Sequence, residues 1–212
     1  MKIFEKKGFT FLIIMLIIVG SGIAVTFYLV NNYIKIEATK LFEKADEKIR
    51  EFDELDNVLS KQELEKEVIA LLDDVIVKYP KTTSGKRALF YKGYILYNTE
   101  KYDEAIKQFK LFVSKFSNHI LCGKAYYLLS YCYTNKNDND NAIKSLKVFE
   151  GKLKESYYAP LGLYRLGSIF EMKGDKVNAV KYYKKIIDEY SDSSQKKIAQ
   201  KKMLILKNDI EL

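Results

Sequence analysis

Two prolines, ten glycines, two cysteines and one histidine are all that the 212 residues contain of the types that interrupt helices or build reactive sites. So little Pro and Gly leaves few breaks, and the remaining windows are filled by Lys, Glu, Leu, Ile and Ala at helical spacing. An all-α protein is expected. The single histidine, His119, falls in a turn, so neither a Ser-His-Asp nor a Cys-His arrangement has a base anywhere else. Metal-ligand spacings are absent, as are glycine loops that cradle phosphate. Asp138 and Asp140 in the run NKNDNDN lack the later Gly and Glu of a calcium loop and read as a solvated turn. Catalysis, a cofactor, a metal and a small-molecule substrate are therefore not expected. Cys122 and Cys132 lie on one expected helix, about 15 Å apart along its axis, too far to bridge without melting it. They read as small core hydrophobes.

What the chain does contain begins with an apolar run. Residues 8–30 carry no charge, and at 1.5 Å per residue they make roughly 34 Å of helix, enough to cross a ~30 Å hydrocarbon core. Lys2, Lys6 and Lys7 precede the run against Glu5, while Lys35 and Lys40 follow it mixed with Glu37 and Glu43. That lysine bias places residues 1–7 in the cytoplasm and the rest outside. A cleaved signal peptide is the alternative, since Gly22-Ile23-Ala24 offers small residues to a peptidase. Against it, Val25 to Val30 stays apolar beyond that point, an unusual start for a soluble chain. With no cysteine near the end of the run, lipid attachment there is excluded. Gly20 and Ala24 form a small-xxx-small pair of the kind that lets membrane helices approach.

Past this segment 33 basic and 27 acidic residues remain. The charges are interspersed lysines in a compartment without nucleic acid, so no nucleic-acid partner is expected. Acidic lipid headgroups, an acidic partner or a solvated surface suit them better.

Internal repetition is the strongest signal. Ala88, Ala125, Gly162 and Ala199 are each 37 residues apart, and the same step links Gly93, Ser130 and Gly167. It also links Ala105, Ala142 and Ala179; Phe109, Leu146 and Tyr183; and Phe112, Phe149 and Ile186. Each unit reads as two helices, the first from about Arg87 to Asn98 and the second from about Asp103 to Lys115. Leu89, Gly93 and Leu96 share one face, and Ala105, Phe109 and Phe112 share the facing one. Small residues at facing positions let the two helices close on each other. A ring recurs between units at Tyr79, Phe116 and Tyr190, with Leu153 taking that column once, and is expected to plug the turn.

These columns resemble the tetratricopeptide repeat. The third unit matches best, through Leu163, Leu166-Gly167, Phe170, Gly174, Ala179, Tyr183 and Ile186. In the first, Gly93, Tyr102, Ala105 and Phe109 match, with Lys92 where leucine is usual; the second has Ser130 for glycine and Asn139 in the Tyr102 column. The expected division is 1–7 cytoplasmic tip, 8–30 membrane anchor, 31–61 linking helix (Tyr33 to Phe52) and polar link (Asp56 to Lys61), and 62–212 repeat domain. The domain has units near 86–117, 123–154 and 160–191. Val68, Leu72 and Val75 keep the second-helix register upstream, but Asp56 falls where the partner helix needs glycine. A capping helix over 194–209 is expected to turn Ile198, Met203 and Leu206 inward. The resemblance thus implies an α-solenoid of antiparallel helix pairs behind one transmembrane helix.

The family binds peptides in a concave groove lined by its first helices. Carried onto this chain, those positions fall on Arg87, Phe90, Tyr94, Tyr97 and Asn98, then Lys124, Tyr127, Tyr131, Thr134 and Asn135. The third unit gives Leu161, Tyr164, Ser168, Glu171 and Met172. Rings with hydroxyl tips beside basic residues suit extended or helical peptides. Alternatively, Phe90, Tyr94 and Tyr127 pack between neighbouring helices, and Tyr91 is unplaced. Phe90 and Tyr94 stand where the carboxylate-clamp subgroup has Lys and Asn, so recognition of a chaperone's acidic tail is not expected.

The order of cytoplasmic tip, single membrane helix, linking helix and short array, ending KMLILKNDIEL, resembles the YfgM-like group, ancillary to the SecYEG translocon of bacteria. That resemblance implies a single-pass protein of the bacterial inner membrane with a periplasmic repeat domain. Its partners would be translocon subunits, exported chains and periplasmic chaperones. A periplasmic scaffold for cell-envelope assembly or division, linked to Tol-Pal or outer-membrane machinery, is the alternative.

Overall fold

The computed structural model describes the backbone of residues 2–208 and the side chains of 11–207 other than Ile13. Residues 209–212, which finish the KMLILKNDIEL run and the expected capping helix, lie outside the described residues, as do the side chains of Lys2, Glu5, Lys6 and Lys7. Among the described residues there are nine α-helices and no strand.

The first helix, α1, is continuous from Lys2 to Glu54. Among the described residues it contains the one stretch, from Ile14, that is long and apolar enough to cross a membrane, with a mean hydropathy of 2.1 in its best window. Nothing covers the large apolar side chains from Phe11 to Ile36 that are described. Beyond them the helix changes character: Ala38, Phe42, Ala45, Ile49 and Phe52, at alternating steps of four and three, are all buried. This stripe packs with Val68, Leu72 and Val75 of α2 (Val58–Lys78) and with Ala88 and Ile95 of α3 (Thr83–Asn98). Burial of Phe42, Ile49 and Phe52 contributes about 1.5–3 kcal/mol each. The expected link is therefore a structural member of the stack and serves α2 as its first-helix partner. No glycine is required, because Ala38 and Ala45 supply the close approach. The polar link is also shorter than Asp56 to Lys61. Asn57 already caps α2, accepting from the Ser60 N–H at 2.8 Å.

Three hairpins follow: α3 with α4 (Tyr102–Lys115), α5 (Cys122–Asn135) with α6 (Asn139–Leu146), and α7 (Ala159–Met172) with α8 (Lys176–Glu189). α9 (Gln195–Asn208) closes the stack against α8 and α7. Small residues sit where rings dock: a Cβ on Gly93 would lie 2.9 Å from the Phe109 ring, and one on Gly167 would lie 2.6 Å from that of Tyr183. The second unit departs from its neighbours. Its α6 gives way to a 3-10 turn, Lys147–Glu150, and Gly151 then leaves the helical region, so the second helix of this unit is the shortest of the three. Leu153 folds back between the two neighbouring core clusters.

The turns repeat as faithfully as the helices. Tyr79, Phe116 and Tyr190 end α2, α4 and α8 with nearly the same backbone angles, each N–H donating four residues back to Val75, Phe112 or Ile186. Within the hairpins, Glu100, Asn137 and Gly174, again 37 apart, all take positive φ at 63°, 59° and 75°. Asp138 and Asp175 cap α6 and α8, each accepting from the backbone and side-chain amides of the asparagine three residues on. The NKNDNDN run is thus a helix cap, and Asp140 pairs with Lys173 of the next hairpin at 2.8 Å. In α9 the inward residues are Ala199 and Leu206, with Met203 partly covered. Ile198 is 48% exposed instead of inward, because the small Ala199 is the side chain that fits against α8 and α7.

Candidate peptide-binding face

α1, α3, α5, α7 and α9 stand side by side in that order and form one face of the stack. Its first third is already occupied by the chain itself. Arg87 pairs with Asp46 of α1 at 3.4 Å and lies 4.4 Å over the Phe42 ring. The Tyr94 hydroxyl donates to Asp53 at 2.9 Å, and burial followed by this bond pushes its pKa up. Tyr91 joins the same seam, its ring 6.0 Å from both Phe42 and Tyr94. Phe90 does not belong to the face at all. It is fully buried against Phe109 and Phe112, because its position on α3 points into the hairpin once α1 flanks the other side.

Asn98 and Asn135, one period apart, both turn back on their own helices, donating to the carbonyls of Tyr94 and Tyr131. In the third unit, Tyr164 is half-buried against Tyr183, and Ser168 donates to the Tyr164 carbonyl. Glu171 accepts from Tyr183 and from Lys202 of α9. Leu161 is half-buried and Met172 exposed.

The middle of the face is different. Tyr127 and Tyr131 are edge to face with hydroxyls 3.0 Å apart, and Tyr97 of α3 packs its ring 6.4 Å from Tyr131. Burial, and then each other's hydroxyls, push the Tyr127 pKa up. Lys124 holds its ammonium 5.0 Å over the Tyr94 ring. Arg165 of α7 reaches across to α5, where its guanidinium lies 3.1 Å over the Tyr131 ring and donates to Ser130 and Thr134. Among the described residues neither Lys124 nor Arg165 has a carboxylate partner. Burial pulls the Arg165 pKa down, yet guanidinium stays charged throughout the working range.

Arg165 is not among the expected groove residues, since its column holds Tyr91 and Leu128 in the other units. Its signal was available in Ser130 and Thr134, small hydroxyls one turn apart where a guanidinium fork fits. His119 lies in the turn before α5, Cys122 is the first residue of α5, and Cys132 is buried in the core that Tyr97 packs against. His119 packs edge-on to Phe112, and burial with nearby Lys86 lowers its pKa. Both cysteines are buried, and burial raises the Cys132 thiol to about 12. Among the described residues no three His, Cys, Asp or Glu come together as metal ligands.

The tetratricopeptide repeat-like domain family matches residues 6–208. The chain belongs to that family. Its fold is shared by a tetratricopeptide repeat protein from Parabacteroides merdae ATCC 43184, with a TM-score of 0.60 at 16% identity over 82% of this chain. The chain spans 61% of that protein's length. Nearly identical TPR-like repeats from Podosopora anserina superpose with a TM-score of 0.58 at 13% identity, covering 80% of this chain and 86% of theirs. No curated protein matches the chain. Tetratricopeptide repeat domains generally bind proteins or peptides.

Proposed function

We propose that the middle of this face binds extended segments of other proteins while α1 anchors the chain in a membrane. The observation that carries the binding reading is Arg165, a half-buried cation held by hydroxyls and a ring with no anion beside it. A peptide carboxylate would complete its coordination, and neighbouring apolar side chains would lie on Tyr97, Tyr127 and Tyr131.

The order of membrane helix and repeat stack supports a role like that of the YfgM-like group. In this reading the protein works at the outer face of the bacterial inner membrane, beside the Sec translocon. It meets exported chains as they emerge and passes them toward periplasmic chaperones. A photoreactive residue placed at Tyr131 tests both parts and is expected to capture exported chains or translocon subunits. Capture of cytoplasmic proteins alone overturns the topology and the role together. Capture of Tol-Pal or outer-membrane machinery instead keeps the binding face and moves its partner to an envelope scaffold.

A further inference from the structure

Through the first two hairpins the two ends of the stack carry opposite charge; the later connecting turns do not continue it, since 151–160 hold Lys152 and Lys154 with Glu155, and 189–195 hold Glu189 and Asp192. One end holds the turns that connect each hairpin to the next. There residues 78–87 and 115–124 contain five lysines, one arginine and no acid. The other end holds the turns within hairpins, where segments 53–57, 98–104 and 135–141 contain eight acids against two lysines. The last such turn, 172–178, adds Asp175 and two lysines. At the basic end Lys86 lies over the Phe116 ring, and Lys78 pairs only with exposed Asp74. Ile120 projects from the second turn, 87% exposed.

α1 determines which end faces the membrane. It runs alongside α3 in the same direction: Thr39 lies 3.5 Å from Ser84 near the start of α3, and Asp53 meets Tyr94 near its end. The basic turns therefore point toward the apolar half of α1, and the acidic ones point away. From Val30, the last residue of the uncharged run, to Thr39 the helix is unbroken, a rise of about 13 Å. The headgroup layer outside the hydrocarbon core fills about 5–8 Å of that height. Extended lysine side chains reach across much of the rest, within the ~8 Å over which charge attraction survives physiological salt.

Resting on the reading of α1 as a membrane span, we propose that the basic end, residues 78–87 and 115–121, docks onto anionic lipid headgroups with Ile120 seated at the interface. The surface chemistry matches in sign, and the rigid helix places it at the matching height. Docking stands the first helices upright on the bilayer and presents the tyrosine face sideways, along the membrane plane.

The test uses the full chain reconstituted into vesicles of phosphatidylcholine alone or of equal parts phosphatidylcholine and phosphatidylglycerol. A fluorophore is attached through Ile120→Cys or, at the far end, through Glu104→Cys; the native thiols are buried and stay unlabelled. Lipids with spin-labelled headgroups should quench the probe at 120 strongly in the anionic vesicles, and the probe at 104 weakly in both. The combined variant Lys81→Glu, Lys86→Glu, Lys115→Glu should shift the docked-to-undocked ratio by roughly a hundredfold or more toward undocked. Equal quenching at 120 and 104, or quenching at 120 that ignores phosphatidylglycerol, overturns the proposal. Shielding of 120 only after membrane proteins are added overturns it in favour of a protein partner. A chain released from native membranes by alkaline carbonate overturns the anchor itself, whereas an integral chain with an unquenched 120 probe overturns docking alone.

Discussion

Arg165 lies over Tyr131, its guanidinium 3.1 Å from the ring centroid, and takes hydroxyls of Ser130 and Thr134 where a buried arginine usually takes a carboxylate. The two hydroxyls are themselves satisfied, because they donate to the carbonyls of Tyr127 and Tyr131. The arginine is thus fixed in place without having its charge neutralised. That arrangement leaves charge available to a ligand and costs little in orientation when one arrives.

Replacing Arg165→Met should accordingly separate binding from stability. No buried donor or acceptor is orphaned by the change, so the unfolding free energy is expected to stay within about 1 kcal/mol. A charged hydrogen bond is worth about 1.5–3 kcal/mol, so acidic peptides should bind roughly ten- to a hundredfold more weakly. Neutral peptides should hardly change. Arg165→Lys should not rescue, since an ammonium cannot span Ser130 and Thr134 as a planar fork does. Fluorescence anisotropy with paired acidic and neutral peptides, alongside thermal melts, reads both effects.

Glu100, Asn137 and Gly174 occupy one column of the repeat and share a left-handed backbone, but only the last is glycine. A residue with a Cβ pays about 1–2 kcal/mol there, partly offset by the larger entropy that glycine loses on folding. Glu100→Gly should therefore stabilise the protein by about 0.5–1 kcal/mol. Asn137→Gly should gain less, since asparagine tolerates this region. Chemical denaturation of the two variants against the parent gives the ranking.

This column shows what the sequence made legible. The 37-residue period is spaced by small residues that must face rings, so the hairpins could be read wherever Gly93, Ala105 or Gly167 stood in register. The α1 seam could not, because its small residues, Ala38 and Ala45, follow a 3.5-residue stripe with no counterpart 37 residues later. The same seam decides which of the candidate groove side chains stay uncovered. Of the two readings open for Phe90 and Tyr94, packing is the one observed: Phe90 lies against Phe109 and Phe112, and Asp53 and Asp46 of α1 engage Tyr94 and Arg87. Arg165 was hidden for the opposite reason: its role depends on Ser130, a departure from the repeat that looked like a weakness of the second unit.

Gly162 approaches a ring more closely than Gly93 or Gly167 does. A Cβ there would lie 2.1 Å from the Phe149 ring, which is fully buried and has no room to retreat. Alanine gains about 1 kcal/mol of helix propensity over glycine, but overpacking costs about 1–3 kcal/mol and should win. Gly162→Ala is expected to lower the melting temperature and to loosen the 3-10 turn that carries Phe149. Gly151→Ala, where no atom lies within 4 Å of the added carbon, should lack that penalty. Differential scanning calorimetry of the two variants distinguishes a packing cost from a general intolerance of alanine.

The attachment of α9 should depend on pH through Glu171. Burial alone would raise its pKa, but hydrogen bonds from Lys202 and Tyr183 outweigh burial and hold the carboxyl below its ordinary 4.5. A depressed folded pKa means that the contribution is complete above the unfolded value and is lost as pH falls through the folded one. Lys202, raised above 10.5 chiefly by the hydrogen bond it donates to Glu171, contributes fully below that value and loses its part only in strong alkali. α9 is therefore expected to be held across the neutral range and to loosen in acid, starting below about pH 4.5. Amide exchange in residues 195–207 should accelerate there before exchange in α7 and α8 does. Glu171→Gln should abolish that acid step and speed α9 exchange modestly at neutral pH. An acid profile identical in parent and variant would mean that the apolar contacts of Ala199 and Leu206 hold α9 without help from the ion pair.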